Sequence, residues 1–179
     1  ERPEAALEHY SCASNLSPAE LAYLLARAEM LVALDRRPEA LALLKEKLQY
    51  FENSGAIRDA VGQLLVQQGQ YAEAADVLRQ ASLLTPDDPG IREHLAIAQF
   101  LAGRYAEAAA NLSRMLQEAR WNKRADLHLA LGQCQMNLRK LAEARESFET
   151  ATQLDGSSSA AWLSLGKCAM DGGDLRRVD

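Results

Sequence analysis

The stretch GRYAEAAANL, Gly103 to Leu112, echoes GQYAEAADVL, Gly69 to Leu78, with each shared residue displaced by 34 positions. A repeat of roughly 20 to 50 residues constrains a fold more than any local propensity, because one unit cannot bury its apolar face alone and must stack on its neighbours. The phrase recurs more loosely as RRPEALALL at 36–44 and RKLAEARESF at 139–148. Glu-Ala stands at the same point of each copy, as Glu39-Ala40, Glu73-Ala74, Glu107-Ala108 and Glu143-Ala144, and the alanines step by 34, 34 and 36 residues.

Each phrase opens a helix. Tyr105, Ala108, Ala109, Leu112 and Leu116 recur at intervals of three and four, the spacing of one buried stripe, and Leu141, Ala144, Phe148, Ala151 and Leu154 draw the same stripe one copy later. Pro38 suits the first turn of its helix, where no backbone N–H is needed. Gly69, Gly103 and Gly173 precede such helices, where a tight turn wants a residue that tolerates positive φ.

A second amphipathic segment lies upstream of each turn. In the middle of it a small residue stands in every copy, Ala28, Gly62, Ala96, Gly132 and Gly166, and it follows an apolar one in all but the first, where Arg27 precedes it. Small side chains there let neighbouring helix axes approach closely. Ser159, after the Gly156-to-Ser158 loop, is the predicted N-cap of the last of these helices.

This pattern resembles the tetratricopeptide repeat. AWLSLGKCAMDGGDL at 161–175 matches the first half of that signature, and GQYAEAADVLRQASLLTPDD at 69–88 matches the second, with Tyr71, Ala74, Ala81 and Pro86 in register. The resemblance implies an all-α, right-handed superhelical solenoid of antiparallel helix pairs. Repeats are placed at 21–54, 55–88, 89–124 and 125–158, with residues 1–20 as the second helix of a preceding partial repeat. Residues 159–179 are placed as the first helix of a truncated one, whose second helix would be just beginning. Two departures stand out. Arg27 and Lys47 replace apolar or small residues and Glu52 replaces proline in the first full repeat, and the third carries two extra residues, placed in EARWNKR at 118–124.

Composition narrows the function classes. A formal net charge of -5 argues against nucleic acid as the main ligand, Arg120, Lys123 and Arg124 being the one local exception. No apolar run approaches the ~18 residues that span a bilayer, so no membrane insertion is expected. Cys12, Cys134 and Cys168 cannot all pair within one chain, which favours a reducing compartment such as the cytoplasm and leaves the periplasm open. Cys134 and Cys168 read as small buried apolar side chains.

Catalytic constellations are missing from the pattern. His9, His94 and His128 are scattered, with no His-Glu-x-x-His and no Cys/His cluster at zinc spacing. Gly166-Lys167 does not make a phosphate loop, which needs glycine where Ala161 stands and Ser or Thr where Cys168 stands. The chain reads as a non-enzyme with no metal and no cofactor.

What remains is binding. In the tetratricopeptide family the first helices line a concave face, and the resemblance places Glu29, Asp59, Gln63, Glu93, His94, Ile97, Phe100, Asp126, Leu129, Gln133, Met136, Asn137 and Lys167 on it. Asp59, Glu93 and Asp126 form either a negative ladder or a solvated face. Ile97, Phe100, Leu129 and Met136 form either an apolar partner patch or inter-repeat packing. Some family members grip the C-terminal carboxylate of heat-shock chaperones with lysine, asparagine and arginine. Here the corresponding places hold Asp59, Gln63, Glu93, His94, Ile97 and Asp126, the wrong charge for an anion.

The expected role is a non-catalytic scaffold that binds an extended or helical peptide segment in its groove. The expected partner is a protein or peptide with basic and hydrophobic residues. The alternative is the regulatory or substrate-recruiting array of a larger enzyme or export machine. Apolar surface at Trp162, Leu163 or Leu165 would also allow self-association.

Overall fold

A computed structural model describes residues 3–172. Gly173 and the start of a following helix lie outside the described residues. Ten α-helices run in order, and no strand occurs among the described residues: α1 (Pro3–Leu16), α2 (Leu21–Ala33), α3 (Arg37–Lys47), α4 (Gly55–Gln67), α5 (Tyr71–Leu84), α6 (Pro89–Leu101), α7 (Tyr105–Leu116), α8 (Ala125–Asn137), α9 (Leu141–Leu154) and α10 (Ser159–Asp171). The chain packs as two compact units, residues 1–98 and 99–179.

In the first unit α1 packs on α2, α2 on α3, α3 on α4 and α4 on α5. The Glu-Ala phrase does what its spacing implies: Ala40 and Leu44 on α3, and Ala74, Leu78 and Ala81 on α5, are fully buried. Gly62 on α4 gives way to Leu78, since a Cβ there would lie 2.4 Å from Leu78 Cγ. Close approach of the two helices therefore requires glycine at that point.

The first repeat carries the departures. Its second helix ends at Lys47 and tightens into a 3-10 turn at Leu48–Tyr50, whereas α5 runs on to Leu84. Lys47 pairs with Glu46 at 2.8 Å and lies over the Tyr50 ring at 5.5 Å, which keeps its charge at the surface.

In the second unit α7 packs on α8, α8 on α9 and α9 on α10. Phe148 is the central knob, packed with Ala144 and Cys168, and a Cβ on Gly132 would meet Phe148 Cε1 at 2.5 Å. At Gly166 a Cβ would meet nothing within 4 Å among the described residues. The stripe predicted on α9 stops one residue early, because Leu154 is 40% exposed while Ser147 and Thr152 are buried instead. Trp162 and Leu163 are exposed, but Leu165 packs on the Phe148 cluster.

The helical turns share one backbone device. Gly69 and Gly103 have φ of 76° and 73°, and Asp35 and Arg139, which occupy the same place in their copies, take φ of 60°. In each case the next N–H closes the helix end by bonding a carbonyl five residues back, as Gln70 does to Leu65 at 2.9 Å and Lys140 does to Gln135 at 2.9 Å. Glycine adopts this conformation freely, whereas Asp35 and Arg139 hold it against a steric cost of about 1–2 kcal/mol.

Two further details differ from the sequence reading. The N-cap of α10 is Ser158 rather than Ser159, its Oγ accepting from Ala161 N at 3.3 Å. The two extra residues are accommodated by shortening α7 to 12 residues, against 14 in α5 and α9, and lengthening the connection that follows. Trp121 buries itself in that connection, flanked by Arg120 and Arg124. Those two arginines pair with Glu118 and Asp126 at 2.7 and 2.6 Å, so they do not form a free basic face.

Candidate functional site

The first helices of the first unit form a face with two hollows on either side of α4. The larger, of about 400 Å³, lies between α2 and α4. Leu25, Ala28 and Val32 of α2 and Ala60 of α4 supply apolar surface, while Glu29, Asp59, Gln63, Gln67 and Asp88 bring polar groups to it. A smaller crease of about 170 Å³ is lined by Gln63, Val66, Gln67, His94 and Ile97. Gln63 and Gln67 belong to both, so α4 is the shared wall.

These positions follow from helical spacing. Ala56, Asp59, Ala60, Gln63 and Gln67 recur at three and four, opposite the Val61, Leu65 stripe that buries against α5. Small residues at 28, 56 and 60 leave the room between the axes that becomes the hollow.

A hydrogen-bonded relay crosses the crease. Asp59 Oδ1 lies 2.8 Å from His94 Nδ1, and Asp59 Oδ2 accepts from Gln63 Nε2 at 2.8 Å. The hydrogen bond to Asp59 is the main cause that raises the His94 pKa above its ordinary 6.5. Burial opposes the shift, and the charges of Asp59, Glu93 and Asp88 add to it. Asp59 is thus a bonded carboxylate. Glu29 is exposed and has no ion-pair partner among the described residues.

The remaining sequence-predicted residues have other surroundings. Glu93 is half-buried and Ile97 is 44% exposed, both on α6. Phe100 meets Tyr105 edge to face, with centroids 5.9 Å apart. Asp126 is held by Arg124 through two hydrogen bonds of 2.9 and 2.6 Å, which lower its pKa. Of the three carboxylates for which the sequence left a ladder or a solvated face open, Asp59 and Asp126 are engaged by local partners. Leu129 and Met136 are partly buried and pack against Ala144, Phe148 and Cys168. Asn137 donates to the Gln133 carbonyl at 2.8 Å, and Lys167 is exposed on α10.

Sequence reasoning missed Leu25, Val32, Ala60 and Gln67. The signal was there for Gln67, one helical turn beyond Gln63, but the apolar members read as ordinary core. The described residues contain no cluster of three or more His, Cys, Asp or Glu that could hold a metal ion, and none of their helices is long and apolar enough to cross a membrane. The face offers amide, carboxylate and apolar groups, which suit recognition of a polypeptide.

Profiles of the tetratricopeptide repeat match residues 60–125 and 125–158, and the chain belongs to that family. Its all-α fold is the solenoid type of known family members. YrrB, described as a TPR protein with an unusual peptide-binding site, aligns over 96% of this chain and 87% of its own at 18% identity, with a TM-score of 0.83. MamA from Desulfovibrio magneticus RS-1, residues 41 to the end, aligns over 88% and 87% at 20% identity with a TM-score of 0.79. The first TPR of Spaghetti, bound to the HSP90 peptide SRMEEVD, aligns over 67% of this chain and 94% of its own at 22% identity with a TM-score of 0.59. No curated protein matches the chain at a significant level.

Proposed function

We propose that this chain is a non-catalytic scaffold that binds a protein segment along its first-helix face, and that the segment carries basic and hydrophobic residues. The observation that carries this reading is the pair of hollows flanking α4, with a mixed apolar and amide lining and no Lys or Arg among the lining residues. Two relatives in fold are described as peptide binders, YrrB and the Spaghetti domain. The peptide bound by the latter is acidic, whereas Glu29, Asp59 and Asp88 give this face the opposite preference.

Selection of random peptides displayed on phage, using the purified chain as bait, tests the reading. Enriched peptides should combine Lys or Arg with an apolar residue. Their binding should be lost when Gln67 and Ile97 are both changed to Lys, and retained in Arg79→Glu, which lies on the exposed side of α5. Peptides that respond to Arg79→Glu and ignore the α4 and α6 changes would place the partner on the second helices and end the proposal.

A further inference from the structure

The two basic departures of the first repeat meet at one hollow. Arg27 on α2 holds the place that Val61, Leu95 and Leu131 fill in later copies, and all three of those are buried. Lys47 on α3 holds the place of Ala81, Met115 and Ala151, which are buried as well. A charge at a core place is costly unless something pairs with it. Here both charges line a single cavity of about 350 Å³ between α1, α2 and α3, which shares no lining residue with the hollows that flank α4.

The polar lining is short of an acceptor. Arg27 makes no hydrogen bond or ion pair among the described residues, and its Nε is buried without a partner. Ser14 and Asn15, near the end of α1, likewise have side chains that bond to none of the described residues. Glu46 is the one carboxylate of the lining, and it is engaged by Lys47 at 2.8 Å with its side chain 65% exposed. The hollow is therefore left with one cation in excess, Arg27, whose planar fork presents paired N–H groups to an oxyanion. A buried donor without a partner is unfavourable, and an acceptor brought by a ligand removes that cost.

Leu24 and Leu43 add apolar walls, and the volume falls in the range of about 300–1,000 Å³ usual for small-molecule sites. One excess cation is balanced by a monoanion, whereas a phosphoryl group at neutral pH brings about 1.5–2 negative charges.

We propose that the hollow between α1, α2 and α3 binds a monocarboxylate carried on a small apolar body. The carboxylate sits on the Arg27 guanidinium with Lys47 at the rim, Ser14 and Asn15 donate beside it, and the apolar body lies against Leu24 and Leu43. The places at which family members hold a chaperone's terminal carboxylate are elsewhere, on α4, α6 and α8, and carry no Lys or Arg in this chain. The site is also independent of whether the first-helix face binds a peptide.

The test titrates the purified, isotope-labelled chain with hydrocinnamate, with its neutral amide and with inorganic phosphate. The readout is the Arg27 Nε–Hε resonance of the wild-type protein, which requires no variant to fold. Hydrocinnamate should move that resonance to saturation and bind about tenfold tighter than the amide or phosphate. Lys47→Gln should weaken it by about threefold, the effect of a partly exposed charge. Arg27→Leu restores the aliphatic type of the later copies, so it should lose about tenfold or more in affinity while melting no lower than wild type. A short peptide ending in a free Phe carboxylate identifies the source: tighter binding than hydrocinnamate assigns the group to a chain end, weaker binding assigns it to a free acid, and both uphold the site. Equal affinity for the acid and its amide, tighter binding of phosphate, or an Arg27 resonance that no probe moves overturns the proposal. So does an Arg27→Leu variant that melts lower and titrates unchanged, since Arg27 would then serve the fold alone.

Discussion

Replacing Gly132 and Gly166 by alanine should move stability in opposite directions, although both occupy the same place in the repeat. At Gly132 an added Cβ would lie 2.5, 2.7 and 3.0 Å from Cε1, Cδ1 and Cζ of Phe148. Carbon atoms pack best at about 3.5–4.0 Å, so the ring must retreat by roughly 1 Å. Phe148 is fully buried and packed with Ala144 and Cys168, which leaves it nowhere to go without shifting α8 from α9. Such overpacking costs about 1–3 kcal/mol, against which alanine returns about 1 kcal/mol of helix propensity. The net loss expected for Gly132→Ala is about 0–2 kcal/mol. At Gly166 none of the described residues stands within 4 Å, so nothing among them opposes the propensity gain and Gly166→Ala should stabilise by about 1 kcal/mol. Urea unfolding followed by far-UV circular dichroism, with the slope compared across variants, measures both. Each kcal/mol should move the melting temperature by about 2–4 °C. A stabilising Gly132→Ala, or a destabilising Gly166→Ala, would refute the claim that knob-into-glycine packing sets the spacing of these helix pairs.

The His94–Asp59 contact raises the folded-state pKa of His94, so its contribution is fully present below the ordinary value of 6.5 and is lost as pH rises through the raised one. The stability gap between wild type and Asp59→Asn should thus shrink as pH rises above 6.5 and through the raised pKa, and a gap that does not change removes the charged pair from the account. Ser147 Oγ donates to the buried Gln135 Oε1 at 2.7 Å, and Leu65 holds the equivalent place on α4. Ser147→Ala should cost about 1–3 kcal/mol by stranding that acceptor, and adding Gln135→Leu should recover most of it in a double-mutant cycle; strict additivity would contradict this. Cys134 is buried with its thiol pKa pushed up to about 11 by burial, and Cys168 is also buried, whereas Cys12 is exposed. A thiol reagent should therefore label one cysteine quickly in the native protein and all three only after denaturation, and rapid labelling of Cys134 would show that α8 opens.

The fold class was legible because its signal is long-range and redundant. Glu-Ala at positions 39, 73, 107 and 143 gives several independent readings of one helix, and the stripe from Tyr105 to Leu112 needs only 3.6-residue periodicity to be recognised. Local boundaries were harder to read. Ser158 and Ser159 are both good caps, and which one takes the position depends on where the preceding turn at Asp155 and Gly156 leaves the chain. The positive φ of Asp35 and Arg139 was hidden as well, because nothing in either side chain announces it; only their alignment with Gly69 and Gly103 does.

By itself the sequence determined that this chain is a stack of helix pairs, which residues point into each pair, and that small residues stand where axes approach. Tertiary structure alone decided what the outward-facing polar and apolar residues do. Asp59 and Asp126 look alike in sequence, yet one is shared by His94 and Gln63 and the other is clasped by Arg124, and Glu29 has neither kind of partner. Ile97 and Met136 are both apolar residues on first helices, yet Ile97 lies open on a crease and Met136 packs on the Phe148 cluster. Periodicity fixes the direction in which a side chain leaves its helix, but whether that side chain meets solvent, a charge or another helix depends on atoms some 34 residues away in the sequence.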